Sequence, residues 1–136
     1  MRLAEIIELA QQLMSGAQID FLDMSLWDSF KEPAEEEFQG RTLLSYFTEL
    51  ERGEVRLGTA GKIHRPRDAR RCLEAGADFV VLGRAAILHH DFPDKTLSDH
   101  DFEPVTPPVT RDYLRSQGLG DAFVNYMAGW KGFVED

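Results

Sequence analysis

The stretch Gly76 to Pro93, GADFVVLGRAAILHHDFP, sets an apolar run between two glycines and follows it with a Gly-Arg pair, a short helical run, two histidines and a proline. Asp78 to Leu82 has the length and apolar content of a buried strand bounded by Gly76 and Gly83. Ala85 to His89 carries a β-branched residue only at Ile87 and reads as a helix start. A strand that passes through glycine into a helix start is a place where backbone N–H groups converge on an anion. The stretch therefore predicts a βα unit and asks what is held where Leu82 gives way to Gly83-Arg84.

Working backward, Pro66 opens a helix, PRDARRCLEAG, with Ala69, Cys72 and Leu73 on its apolar face, Arg67, Arg70 and Arg71 on its wet face, and Gly76 as its stop. Val55 to Ala60 reads as a strand ended by Gly61. Before it, Arg41 to Arg52 has helical spacing through Leu43, Leu44, Phe47 and Leu50, with Gly53 as the stop. Leu26 to Gly40 has no period and reads as a long loop. Ile19 to Met24 alternates apolar and acidic residues as a short strand does, and Leu3, Ile6, Ile7, Ala10 and Leu13 recur as one helical face ahead of Gly16. Three helix-strand alternations with short connections predict βαβ units and a parallel sheet. Forward of Pro93, Asp94 to Pro108 is polar and proline-bearing, and Thr110 to Gln117 and Asp121 to Trp130 read as two short helices. The expectation is an α/β chain with its βα units in residues 1–93 and a tail, 94–136, packed on the same domain.

A chain of 136 residues has room for about one domain with a real core. Its formal charge of −9 argues against nucleic acid or an anionic membrane as the main partner. The single cysteine, Cys72, rules out an internal disulfide framework and fits a reducing cytoplasm. No apolar run is long enough to span a bilayer, and the opening MRLAE begins an acidic amphipathic helix, not a secretion signal.

The segment Thr59 to Pro93, TAGKIHRPRDARRCLEAGADFVVLGRAAILHHDFP, resembles the last two βα units of the old yellow enzyme family of FMN-dependent NADH:flavin oxidoreductases. GAQIDFLDMS resembles that family's sixth strand, and FVNYMAGWKGFVED its C-terminal helix. The resemblance covers nearly the whole chain but only about the last third of a family member. It implies the C-terminal portion of a (β/α)8 TIM barrel, about three βα units plus C-terminal helices. It also implies an FMN phosphate held at Gly61, Lys62, Gly83 and Arg84, with NAD(P)H as electron donor in the complete enzyme. Phosphate sites in such barrels lie in the loops after strands seven and eight. Gly61 and Gly83 let the backbone approach closely, and Arg84 offers a charge-assisted bond. Lys62 departs from the second glycine that relatives often carry there.

The earlier strands, which hold the family's hydride-transfer residues, are missing, so the resemblance assigns this chain no catalytic residue and an isolated activity close to nil. One cysteine cannot hold an iron–sulfur cluster, and adjacent His89 and His90 diverge on a helix, so neither is assigned to a metal. Cys72 is expected to be buried rather than reactive. Asp20, Asp23 and Asp28 lie near a strand end where acid–base work is chemically open. Trp27 and Phe30 either cover a ligand or pack the long loop, and Phe123, Tyr126, Met127 and Trp130 have core spacing. A catalytically silent half-barrel and a fragment of another phosphate-binding barrel are the alternatives. A barrel cut before its sixth strand leaves sheet edges and an apolar inner face, with Phe21, Leu57, Val80 and Leu82 as candidates, so self-association or a complementary barrel chain is expected.

Overall fold

The structure, a computed structural model, describes residues 2–16 and 18–135. It is a mixed α/β chain with one small parallel sheet of three strands in the order β1-β2-β3: β1 (Phe21–Ser25), β2 (Arg56–Ala60) and β3 (Phe79–Val80). The helices are α1 (Leu3–Ser15), α2 (Leu43–Thr48), α3 (Pro66–Glu74), α4 (Arg84–Leu88), α5 (Phe92–Ser98), α6 (Arg111–Ser116) and α7 (Asp121–Ala128). Two compact units divide the chain: Met1–Ile63 with Arg67–Val81, and His64–Pro66 with Leu82–Asp136. No helix among the described residues is long and apolar enough to cross a membrane.

In the first unit, β1 and β2 pair in register from Phe21 opposite Arg56 to Ser25 opposite Ala60. Paired residues of a parallel ladder share a face and side chains alternate along each strand. Leu22 and Met24 therefore lie with Leu57 and Thr59, and Val80 joins them opposite Thr59. Leu57 and Thr59 are fully buried on this face. Phe21, Asp23 and Ser25 lie with Arg56, Gly58 and Ala60 on the other face, where Phe21 remains 60% exposed. Grouping Leu57 and Val80 with Phe21 on one open apolar face is thus corrected: the two-residue period puts them on the opposite side. Phe79 lies over Gly58, leaving no room for a Cβ there, and its ring meets that of Phe21 edge-on at 5.8 Å.

β3 is shorter than the apolar run predicts. Asp78 explains its start: its amide donates to the Leu57 carbonyl at 2.8 Å, while its carboxylate accepts from the Leu57 amide at 2.7 Å and from Arg52 Nη1 at 2.8 Å. Gly76, at φ 101°, ends the turn after α3, and the Ala77 amide returns to the Cys72 carbonyl at 3.1 Å. The buried face of α1 is Leu3, Ala10 and Met14, whereas Ile6, Leu9 and Leu13 stay more than a third exposed. They line an apolar groove of about 380 Å3 with Leu22, Met24 and Phe47.

The second unit has its own core of Leu88, Val109, Leu114, Val124, Met127 and Phe133. Thr110 caps α6 by accepting from the Tyr113 amide at 3.0 Å. After α7 the chain returns to Val109, whose amide donates to the Phe133 carbonyl and whose carbonyl accepts from Glu135, both at 3.0 Å. Residues 94–98, which the sequence marks only as part of a polar, proline-bearing stretch, are helical in α5, with Pro93 in its first turn where a missing N–H does no harm. The aromatic stripe of α7 is also corrected. Val124 and Met127 fill the core, while Phe123, Tyr126 and Trp130 are 43%, 58% and 41% exposed and stack on one another along the outer face.

Candidate functional site

Parallel α/β sheets place their sites beyond the carboxyl ends of the strands, because the loops there are free to carry chemistry while the strands hold them in place. In the first unit the loops leaving β1 and β2 are packed backbone to backbone. A Cβ on Gly61 would lie 2.9 Å from the amide nitrogens of Asp28 and Ser29, so only glycine admits this approach. The Leu26 amide continues the ladder to the Ala60 carbonyl at 2.8 Å, and the Ser29 amide reaches the Gly61 carbonyl at 3.4 Å. Beneath them the hydroxyls of Ser29 and Thr59, both fully buried, share a hydrogen bond of 3.0 Å.

The Gly61-Lys62 turn has φ 155° and then 52°, so Lys62 adopts the left-handed conformation that favours glycine. Its ammonium lies 3.0 Å from Asp28 Oδ2. Asp28 Oδ1 accepts from the Phe30 amide at 3.1 Å. Burial works to raise the Asp28 pKa, but Lys62 and the amides of Phe30 and Lys31 outweigh it and hold the carboxyl below its ordinary value. Of the three acidic residues singled out in sequence, Asp28 is thus committed to holding the turn.

Trp27 sits at the centre of a tight three-residue turn, with φ 61° and the Asp28 amide 2.6 Å from the Leu26 carbonyl. It is 84% exposed. Phe30 instead packs under Arg71 of α3, whose guanidinium lies 3.7 Å from the ring centroid. The two aromatics of the loop therefore separate in role: Phe30 packs, and Trp27 projects into solvent.

In the second unit Gly83 is the residue before α4, and its carbonyl accepts from the amides of Ala86 and Ile87 at 3.0 and 3.3 Å. The first-turn amides of Arg84 and Ala85 have no partner within the helix. Nothing lies within 4 Å of where a Cβ on Gly83 would stand, and Arg84 is exposed. Gly83 is therefore demanded neither by a positive φ nor by packing.

Cys72 is fully buried, and burial pushes its thiol above the ordinary value. His89 is buried, whereas His90 is exposed and lies with Nδ1 3.1 Å from Gln117 Oε1. Among the described residues no group of three or more His, Cys, Asp or Glu is placed to hold a metal ion. A wider cleft, of about 700 Å3, opens at the opposite ends of the strands between Met14, Asp20, Arg52 and Arg56. It lies away from the carboxyl ends and holds none of the residues singled out for a phosphate. Sequence reasoning found Gly61, Lys62 and Asp28 separately but not the Lys62–Asp28 pair or the Ser29–Thr59 bond, since no spacing rule links residues that meet only when two strands align. In comparison with known proteins, no family model matches the chain and no curated protein matches it.

Proposed function

We propose that this chain is the FMN phosphate-binding C-terminal segment of an NADH:flavin oxidoreductase of the old yellow enzyme type, the last βα units of a (β/α)8 barrel. The observation that carries the reading is the conformation of Lys62: relatives often have glycine there, and here the lysine takes a left-handed φ of 52° directly after Gly61 at the end of β2. A position that keeps a glycine conformation while carrying lysine is what a departure from a glycine turn looks like.

Each of the two turns, taken within its own unit, offers groups suited to a phosphate dianion. The Gly83–Ala85 amides are free of intrahelical partners, and the bare surface over Gly83 lets a ligand reach the backbone. Arg84 supplies a fork of charged donors. Lys62 contributes its backbone, since its ammonium is engaged by Asp28. When bound, FMN would accept a hydride from NAD(P)H and pass it to an acceptor; this chain's part is to anchor the phosphate end. The free, buried Cys72 fits a reducing cytoplasmic setting.

A second reading, a silent module that assembles with itself or with a complementary barrel chain, is favoured by the exposed Phe21 beside Phe79 and by the apolar groove along α1. FMN titration followed by flavin fluorescence, on the assembled protein, separates the two. The first reading expects uptake of FMN, abolished in Gly83→Val, with no enzyme-like NADH oxidation by the lone chain because positioning worth about 7–11 kcal/mol is absent. Unchanged affinity in Gly83→Val removes Gly83 from the site. Failure of every assembled form to take up FMN overturns the flavin reading.

A further inference from the structure

His89 stands outside everything assigned above, yet it is 3% exposed and bonded on both ring nitrogens. Its Nε2 lies 2.9 Å from the backbone nitrogen of Val105, which can only donate, so Nε2 carries no proton and the ring is neutral. The ring proton is then on Nδ1, 3.4 Å from the Tyr113 hydroxyl oxygen, whose own proton goes to the Leu88 carbonyl at 2.8 Å. Phe102 packs edge-on against the imidazole at 5.1 Å and against Phe92 at 6.1 Å. One neutral histidine thereby joins α4, the irregular segment 99–108 and α6.

We propose that His89 is an acid-operated latch: neutral, it holds the Phe102–Val105 segment against α4 and α6, and on protonation it releases that segment. The imidazolium has an N–H on Nε2 aimed at the Val105 N–H, so a hydrogen bond becomes a donor–donor collision. From α5, the Lys95 ammonium is 3.5 Å from Nδ1 and opposes a second positive charge, as does neighbouring His90. Asp91 pulls the other way, but its carboxylate is engaged by Lys95 at 3.0 Å. From α6 the ring meets the neutral Tyr113, and from the segment itself the Phe102 ring and the Val105 amide, while Glu103 pairs with Arg65 at 3.2 Å. Burial first, then Lys95, lowers the His89 pKa. The latch is therefore fully closed above the unfolded value of about 6.5 and is lost as pH falls through the lower folded value.

The test uses the whole chain and the variant His89→Gln, whose amide oxygen is an uncharged acceptor for Val105. NMR should show a His89 midpoint below about 6.5, with the Val105 amide losing exchange protection, corrected for intrinsic rates, at the same midpoint. Proteolysis within residues 99–108, taken as the ratio of wild type to His89→Gln at each pH, should rise about tenfold for every unit by which that midpoint is depressed. A flat ratio overturns the latch. So does a Val105 amide that stays protected below the His89 midpoint, and this readout needs only the wild-type chain if the variant does not fold.

Discussion

Replacing Gly61 with alanine should destabilise the first unit far more than the same change at Gly83. At Gly61 the new Cβ would lie 2.9 Å from the amide nitrogens of both Asp28 and Ser29 and 3.0 Å from the Trp27 carbonyl carbon. These are backbone atoms, so no rotamer change relieves the overlap; the 27–29 loop must retreat from the end of β2. Overpacking of this kind typically costs about 1–3 kcal/mol. Retreat also loosens the buried Ser29–Thr59 hydroxyl pair, worth roughly 1 kcal/mol. The sum, about 2–4 kcal/mol, corresponds to roughly 6–12 °C at about 3 °C per kcal/mol for a chain of this size. At Gly83 no atom lies within 4 Å of the added Cβ, so alanine there should stay within about 0.5 kcal/mol of wild type. Thermal unfolding followed by far-ultraviolet circular dichroism reads both variants. If Gly61→Ala melts within about 2 °C of wild type, the close approach of the two loops is not what holds this end of the sheet.

Lys62→Gly relieves a left-handed penalty of about 1–2 kcal/mol but gives up the half-exposed pair with Asp28 and frees the unfolded chain, so its denaturation midpoint should change little; a loss above about 2 kcal/mol would make the ion pair the main support of the turn. Cys72 should resist alkylation in the native chain and react readily in denaturant. Because burial raises its pKa, the stability tied to the neutral thiol is complete below the unfolded value and is lost as pH rises through the higher folded one; rapid native labelling near neutral pH would contradict its burial. The chain should self-associate in sedimentation runs over a range of concentrations, since leaving several hundred Å2 of apolar surface uncovered costs roughly 10 kcal/mol. A cooperatively folded species of 15.4 kDa at all concentrations would refute that.

Local chemistry alone determined much of the framework. The three strand sites, the helix from Pro66 to its stop near Gly76, and the two glycine turns were legible because each depends on residues within a few positions of one another. The burial of Cys72 followed from the same helical period. Register and face were not legible. Leu57 and Phe21 look alike in sequence, and only the pairing of β1 with β2 sends one into the core and leaves the other exposed. The α7 stripe shows the same limit: helical spacing groups Phe123 and Tyr126 with Met127, but which side faces Leu88 and Val109 depends on partners far away in the chain. Asp28 and Lys62, Ser29 and Thr59, and His89 with Val105 are pairs separated by 34, 30 and 16 positions, as their numbers show. Sequence periodicity reports which residues prefer water, whereas these contacts form only after the loops and helices have been brought together, so tertiary structure alone decided them.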